Sequence, residues 1–436
     1  MCVCLMWSAA VGLLAVDDTT GKMSLDSYLR ALDASFRDQD GPSMARYLGA
    51  DAADIPSSGF VSYLKERKVD RECQQRLRGA LATVAAGVLR SLVASHEGRA
   101  EDAHKHYIAA LESFLDGMFV PEGTWLAPCL FGMVAGVRKL AKKADWGGSG
   151  GRQAATPSFG EAEAEEEGSK SMVLTTHTIM KAFRLSINDR SNDDQTSRKA
   201  CALHLAIDMF KHYSDLKNLR MCNNIRGVVD QHWAVVEPMS SRADWVSYHY
   251  YVGLLKISED KYKEAEVDLE LALKHCHNEA KSNKRRILNN LVPLRLRLGI
   301  YPTLELLEKY DLEHYHDFSV AIRSGDVRSF NHLLSEWEKV FINKGTYLLM
   351  EKCLMLVYRN LVKKIVVATQ TFKLPLRVVQ FAFEKMEHER DVDEIECLLA
   401  NLIFRNLVKG YISHKAKFLV VASTVEKAFP KISLVA

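Results

Sequence analysis

The stretch LANLIFRNLVKGYISHKAKFLVVAS, residues 399–423, changes its hydrophobic period halfway along. Up to Val408 its apolar residues recur every three or four positions, which is typical of one face of a helix. After Gly410 the pattern becomes two short β-like runs, YIS and FLVV, around the polar tip HKAK. A chain that is otherwise helical in pattern is therefore predicted to end in a basic β-hairpin.

Three helical patterns precede this hairpin. GTYLLMEKCLMLVYRNLVKKIVVATQ, residues 345–370, predicts one long helix, and LPLRVVQFAFEKM predicts a second with Pro375 in its first turn. DVDEIECLLANLIFRNLVKG, residues 391–410, predicts a third helix that stops at Gly410. Three helices followed by a short hairpin form a winged helix, so we interpret the hairpin as the wing.

The chain upstream of the winged helix has the pattern of stacked helix pairs. One pair has small and apolar residues at the offsets of a tetratricopeptide-type repeat, namely Gly253, Ala265, Leu269 and Ala272. Pro293 is expected to kink or break a helix, and the next turn is expected at Ser324, as a cap, and Gly325. The predicted fold class is an all-α, tetratricopeptide-like solenoid that a C-terminal winged helix with a small β-hairpin caps.

The pattern also predicts segment boundaries. Residues 1–22 lack the basic n-region and cleavage motif of a signal peptide, and we interpret them as a disordered extension. The Gly, Ser and Glu density of residues 146–171 predicts a disordered insertion. The predicted organisation is 1–22 extension, 23–145 helical repeats, 146–171 insertion, 172–343 helical repeats, 344–425 winged helix and 426–436 tail.

Composition sets broad limits on function. The 436 residues are 47% hydrophobic and 26% charged, which is ordinary for a globular protein, and the net charge is +3. Nine cysteines without a C-x-x-C pair are expected to be reduced intracellular thiols. KHCHN, residues 274–278, has no second ligand pair at a suitable spacing, so we predict no metal site. No membrane span is predicted, because no stretch reaches the required uninterrupted apolar length.

The sequence contains no motif that would support catalysis. GGSGG lies in the predicted insertion, with neither a strand before it nor a helix after it to aim phosphate-binding amides. No G-x-S-x-G elbow, H-E-x-x-H motif or kinase signature is present. We therefore predict a non-catalytic protein without a cofactor.

Long strings of the chain resemble the PCI domain family, which is named from its occurrence in proteasome lid, signalosome and translation-initiation assemblies. The resemblance is carried by YHYYVG (248–253), by KSNKRRILNNLVPLRLRLGIYPTLELLEKY (281–310) and by EIECLLANLIFRNLVKGYISHKAKFLVV (394–421). It extends more weakly to SLDSYLRALDASFRDQDG near the N-terminus. Within the family, these strings resemble the PCI subunit of transcription-and-export complex 2.

This resemblance implies a non-catalytic subunit of a nuclear mRNA-export complex. The implied partners are a large scaffold subunit, a very small acidic subunit, and RNA or another nucleic acid. The implied location is the nucleus, including the nuclear pore, with the cytoplasm left open as a second location. The alternative is a purely structural adaptor, similar to the signalosome-associated PCI relative, that makes no contact with nucleic acid.

Three windows concentrate positive charge in this nearly neutral chain. Residues 274–297 contain seven Lys or Arg against one acid, and residues 352–377 contain six Lys or Arg and no acid. Residues 401–420 contain four Lys or Arg and no acid. Such density is what phosphate binding requires. The candidate nucleic-acid-binding residues are Lys284, Arg285, Arg286, Arg359, Lys363, Lys364, Arg405, Lys409, His414, Lys415 and Lys417.

Other interpretations of these charges stay open at this point. Basic residues on helices often form only a solvated face, and an acidic partner peptide would use the same charges as RNA. Seven acids between Glu384 and Glu396 would repel phosphates where a recognition helix enters the major groove, so base-specific DNA reading is not expected. Tyr248, Tyr250 and Tyr251 could stack on bases, although their spacing favours core packing.

Overall fold

The computed structural model describes residues 24–50, 64, 69–147, 170–191, 196–387 and 390–432. The predicted extension and nearly all of the predicted insertion lie outside these residues. The chain forms two compact units, one that ends at Tyr251 and one that begins at Val252.

The described part of the first unit is helical. Its helices are α1 Leu25–Arg37, α2 Gly41–Leu48, α3 Val69–Arg76, α4 Gly79–His96, α5 Ala100–Phe114, α6 Ala127–Trp146, α7 Lys170–Ile187, α8 Ala202–Asp215, α9 Leu219–Gln231, α10 Trp233–Met239 and α11 Arg242–Ser258, which continues into the second unit. Short helical turns lie at Leu115–Phe119, Val120–Glu122, Thr124–Leu126 and Arg198–Cys201. Tyr248, Tyr250 and Tyr251 are buried in α11 and so belong to the packing of the unit.

Helix α4 is the one described helix that is long and apolar enough to cross a membrane. More than half of it is buried, and it packs against α3 and α5. A core helix of a globular unit has the same length and hydropathy, and the burial of α4 is that of a core helix.

The second unit begins with stacked helices. They are α12 Tyr262–His275, α13 Lys281–Arg297, α14 Leu304–Lys309, α15 His314–Ser324, α16 Val327–Glu336, α17 Glu338–Lys344 and α18 Tyr347–Lys352. Close packing of α11 against α12 depends on Gly253, because a Cβ added there would lie 2.7 Å from Cγ of Leu269. The small residue that the repeat pattern places here thus lets α11 and α12 approach.

The two expected helix breaks have different outcomes in the structure. The sequence predicts that Pro293 kinks or breaks its helix, and α13 continues through it, so the helix does not break there. Gly325 does form the left-handed end of α15, with φ 67°. Asp326, not Ser324, caps the next helix, because its Oδ1 accepts a hydrogen bond from the Ser329 N–H at 3.0 Å.

The C-terminal part of the second unit is a winged helix. It consists of α19 Leu354–Thr369, β1 Lys373–Pro375, α20 Leu376–Lys385, α21 Val392–Phe404, β2 Gly410–Ser413 and β3 Phe418–Val421, followed by α22 Val425–Ala428. The strands form an antiparallel sheet in the order β1-β3-β2. The predicted fold class, helical repeats followed by a C-terminal winged helix, is confirmed.

The winged helix contains a strand that the sequence pattern did not reveal. Strand β1 ends at Pro375, which is therefore the N-cap of α20 and does not lie in its first turn. A strand of three residues, such as β1, is too short for alternation to identify it.

The predicted long helix over residues 345–370 is two helices in the structure, because α18 ends at Lys352 and α19 begins at Leu354.

Helix α21 ends at Phe404, six residues before the predicted stop at Gly410. Asn406 adopts the left-handed conformation with φ 56°. The Leu407 N–H then donates to the Leu402 carbonyl at 2.9 Å, and the Asn406 N–H donates to the Ile403 carbonyl at 2.9 Å. This pair of bonds is a Schellman motif, with asparagine in the position that glycine usually occupies.

Candidate nucleic-acid interface

The wing is a tight hairpin whose register brings its tip back toward α21. Gly410 pairs with Val421, Ser413 pairs with Phe418, and residues 414–417 form the turn. Gly410 is required because a Cβ there would lie 2.2 Å from the Val420 carbonyl oxygen. The polar tip HKAK is thus held by a fixed pairing of β2 with β3.

Two side chains of the wing tip bind the acidic start of α21. Lys417 Nζ lies 3.0 Å from Glu396 Oε2 and 3.1 Å from Asp393 Oδ1. His414 Nδ1 lies 2.7 Å from Glu396 Oε1. Hydrogen bonds from Lys417 and His414 lower the pKa of the Glu396 carboxyl, and those carboxylates raise the pKa of Lys417. We call these four residues the wing clasp; they partly neutralise the wing.

Three other cations of the winged helix are exposed and unopposed. Arg405 follows the end of α21, Lys409 precedes β2, and Lys415 lies at the tip of the wing. None of their side chains has a hydrogen-bond or ion-pair partner in the described part of the chain. From Cys397 to Val425 the sequence contains no Asp or Glu. These three candidate residues of the winged helix are therefore exposed and unpaired, and we call them the basic triad.

The cations at the start of α13 belong to a different packed group. Lys284 Nζ donates to Asn278 Oδ1 at 2.8 Å, and Arg285 binds the Asp311 carboxylate and carbonyl. Arg286 is exposed, and its side chain has no partner within the described ranges. Helix α13 packs mainly against α12 and α18, whereas the wing packs against β1 and α21. The cations of α13 and those of the wing thus lie on different packed elements of the second unit.

Arg359 is a structural residue and not an available phosphate ligand. It is only 5% exposed, and its guanidinium donates to the carbonyls of Leu407 at 3.1 Å and Pro430 at 2.7 Å. Burial lowers the pKa of Arg359. Its inclusion among the candidate residues is therefore corrected: it fastens the segment after α21 and the C-terminal tail to α19.

Two further candidate lysines follow Arg359 on α19, and they differ in exposure and in hydrogen bonding. Lys364 is exposed, and its Nζ donates to the Ser324 carbonyl at 3.1 Å. Lys363 is half-buried. Neither residue forms an ion pair with another of the described residues, so both retain their charge for a partner.

Sequence reasoning missed two exposed aromatic residues of the winged helix. Phe404 is 85% exposed at the end of α21, and Tyr411 is 63% exposed on the edge strand β2. The signal was present in the pattern: Phe404 falls outside the buried stripe formed by Ile395, Leu399 and Leu402. Its place outside that stripe predicts that the ring is exposed.

The described residues offer no metal centre and only reduced thiols. They contain no group of three or more His, Cys, Asp or Glu that could hold a metal ion. The seven described cysteines are free, and all but Cys397 are buried. Cys276, in the histidine-flanked segment, is among the buried ones.

Stacked helices that end in a winged helix define a PCI scaffold protein, and the PCI domain model matches residues 334–423. PCI domain-containing protein 2 from Xenopus laevis is 29% identical over 416 residues, with 95% of this chain and 99% of the relative covered. The protein of that name from Danio rerio is 30% identical, with 94% and 98% covered. Protein CSN12 homolog from Mycosarcoma maydis is 28% identical, with 78% and 77% covered. The chain belongs to the PCI domain-containing protein 2 family.

Proposed function

We propose that this chain is a non-catalytic scaffold subunit of a nuclear mRNA-export complex that couples transcription to export at the nuclear pore. In that role it contributes a basic nucleic-acid-binding surface that does not read base sequence. Membership of the family and the resemblance to the PCI subunit of transcription-and-export complex 2 support the assembly role. The same resemblance supports a large scaffold subunit and a very small acidic subunit as partners.

The observation that carries nucleic-acid binding is the basic triad. Its three cations are exposed and lie in a stretch without any acid, and none of them forms an ion pair with the residues that the structure describes. Cations in this state can displace the counterions condensed on phosphates, which gives affinity without base readout. The acids of the wing clasp support the absence of base readout, because they lie at the end of α21 that would have to enter a major groove.

The structural adaptor remains the second candidate function. The wing clasp favours it, since Lys417 and His414 satisfy Glu396 and Asp393 and are partly withdrawn from phosphate. The similarity to a protein named CSN12 homolog favours it as well. In this role the winged helix would contact another protein and no nucleic acid.

Salt-dependent RNA binding separates the two functions. The full-length chain is titrated into fluorescently labelled single-stranded RNA at several salt concentrations, and the logarithm of the affinity is plotted against that of the salt concentration. Replacement of Arg405, Lys409 and Lys415 by Ala should reduce the slope of this plot by about 2, since each phosphate contact contributes about 0.7.

The matched control removes the same charge elsewhere. Lys105, Lys263 and Lys339 are exposed helical lysines outside the three basic windows, and their replacement by Ala should leave the slope near that of the unmodified chain. An equal reduction in both triple variants would mean that net charge and not the basic triad drives binding. Undetectable binding by the unmodified chain would favour the structural adaptor.

A further inference from the structure

Phe404 is the most exposed large apolar side chain among the described residues, at 85%. Its backbone is nevertheless held firmly, because the Schellman motif closes α21 immediately after it. Leu407 and Val408, which follow, are buried. The ring is therefore presented to solvent from a fixed point of the fold.

The surroundings of the ring leave room for a flat ligand. The exposed residues that precede it on the same side of α21 are Cys397, Ala400 and Asn401, which are uncharged and small. Arg405 follows it directly and is exposed, and Lys409 lies after the Schellman turn. An exposed ring with small, uncharged neighbours before it on the helix and cations in the residues that follow can receive a base on its face and phosphates nearby.

We propose that Phe404 stacks on an unpaired base, so that the ligand of this surface is single-stranded nucleic acid and not a duplex. This inference rests on the proposed nucleic-acid-binding function and adds the class of ligand to it. In a duplex the faces of the bases are covered by their neighbours, whereas a single strand can turn a base out onto an aromatic side chain.

A protein partner fits this surface less well. Protein interfaces surround an exposed aromatic with further apolar area, and large exposed patches are contiguous. The exposed residues beside Phe404 on α21 are small or polar, and the residues after it are cationic. The charge and the isolated ring together favour a polyanion with planar groups.

The test compares Phe404→Ala and Phe404→Tyr in the full-length chain. The probes are a labelled single-stranded RNA and a duplex of the same sequence, at one salt concentration and then over a salt series. Phe404→Ala should weaken single-strand binding by about 5- to 150-fold, as the removal of one base stack does, with an unchanged salt slope. Duplex binding should not change, and Phe404→Tyr should retain single-strand affinity.

Phe381→Ala is the matched control. Phe381 lies in α20, is 57% exposed, and has the Lys385 Nζ 5.2 Å from its ring centroid, so it too is an exposed aromatic residue beside a cation. It should leave RNA binding unchanged. Salt-dependent binding that Phe404→Ala does not weaken, or weakens equally for single strand and duplex, would overturn the stacking inference alone. A lack of any RNA binding by the unmodified chain would overturn the proposed function with it.

Discussion

Lys417 Nζ lies 3.0 Å from Glu396 Oε2, which ties the wing tip to the start of α21. Glu396 lies in α21 and Lys417 in the turn after β2, and the hairpin register brings them together. Their contact divides the positive charge of the winged helix into two parts. His414 and Lys417 are paired with acids, whereas the basic triad is not.

Glu396→Gln should strengthen RNA binding. The change removes a negative charge near the wing and releases Lys417 and His414 for phosphate, so the salt dependence should steepen by about 0.7, the contribution of one phosphate contact. The measurement is the salt series with single-stranded RNA. Glu384→Gln, an exposed acid of α20 away from the wing tip, is the control, and an equal gain in both variants would show that the wing clasp is irrelevant.

Leu399→Asp should unfold the winged helix. Leu399 is 1% exposed in the buried stripe of α21, and an unpaired carboxylate there should cost at least about 3 kcal/mol of the free energy of unfolding. Thermal unfolding followed by circular dichroism checks this. Ala400→Asp places the same charge on the adjacent exposed position and should leave the melting temperature nearly unchanged; similar losses in both variants would refute the assigned helix face.

Arg359→Met should lower stability without a specific effect on RNA binding. The substitution leaves the carbonyls of Leu407 and Pro430 without their donor, which should cost about 2–4 kcal/mol. Urea denaturation measures the loss, and the RNA salt slope is then determined under conditions where the variant is folded. Lys364→Met on the same helix should cost much less stability. A reduced salt slope together with normal stability would instead indicate that Arg359 contacts RNA.

Acid should destabilise the first unit through His212. This side chain is fully buried, its Nε2 lies 2.9 Å from the Met172 carbonyl oxygen, and its Nδ1 has no hydrogen-bond partner among the described residues. Burial lowers the pKa of His212 to about 4, from an ordinary value near 6.5. The unfolded chain therefore binds more protons between these pH values, and stability should fall as the pH drops from about 6.5 to about 4.

The expected loss from His212 is about 3 kcal/mol over that range. Urea denaturation at pH 6.5 and pH 4 measures it. His212→Gln should be less stable at pH 6.5 but should lose less on acidification, whereas His177→Gln, at an exposed position of α7, should keep the full loss. Equal acid losses in all three proteins would contradict the role given to His212.

Local pattern was enough to predict the elements of the winged helix that matter most for the interface. The stripe of α21 has the helical period, and the wing has strand alternation on both sides of a polar tip. The winged-helix hairpin and the buried Leu399 followed directly from those periods.

Whether each cation is buried, paired with an acid or exposed could not be predicted from local pattern. Arg359 has the spacing of a surface residue, and its burial depends on how the C-terminal tail returns to α19. Lys415 and Lys417 both lie in the polar tip HKAK, and the sequence does not distinguish them. In the structure Lys417 binds Glu396, whereas Lys415 is exposed to solvent. Such differences arise from contacts between segments far apart in the chain, which a single sequence does not encode locally.

Ultraviolet cross-linking of the full-length chain to single-stranded RNA, followed by mass spectrometry of the linked peptides, tests the central claim most directly. We expect the cross-links to fall within residues 400–415, around the basic triad and Phe404, and to disappear as salt is raised. Cross-links confined to the start of α13, or none above background at low salt, would contradict the assignment of the winged helix as the nucleic-acid interface.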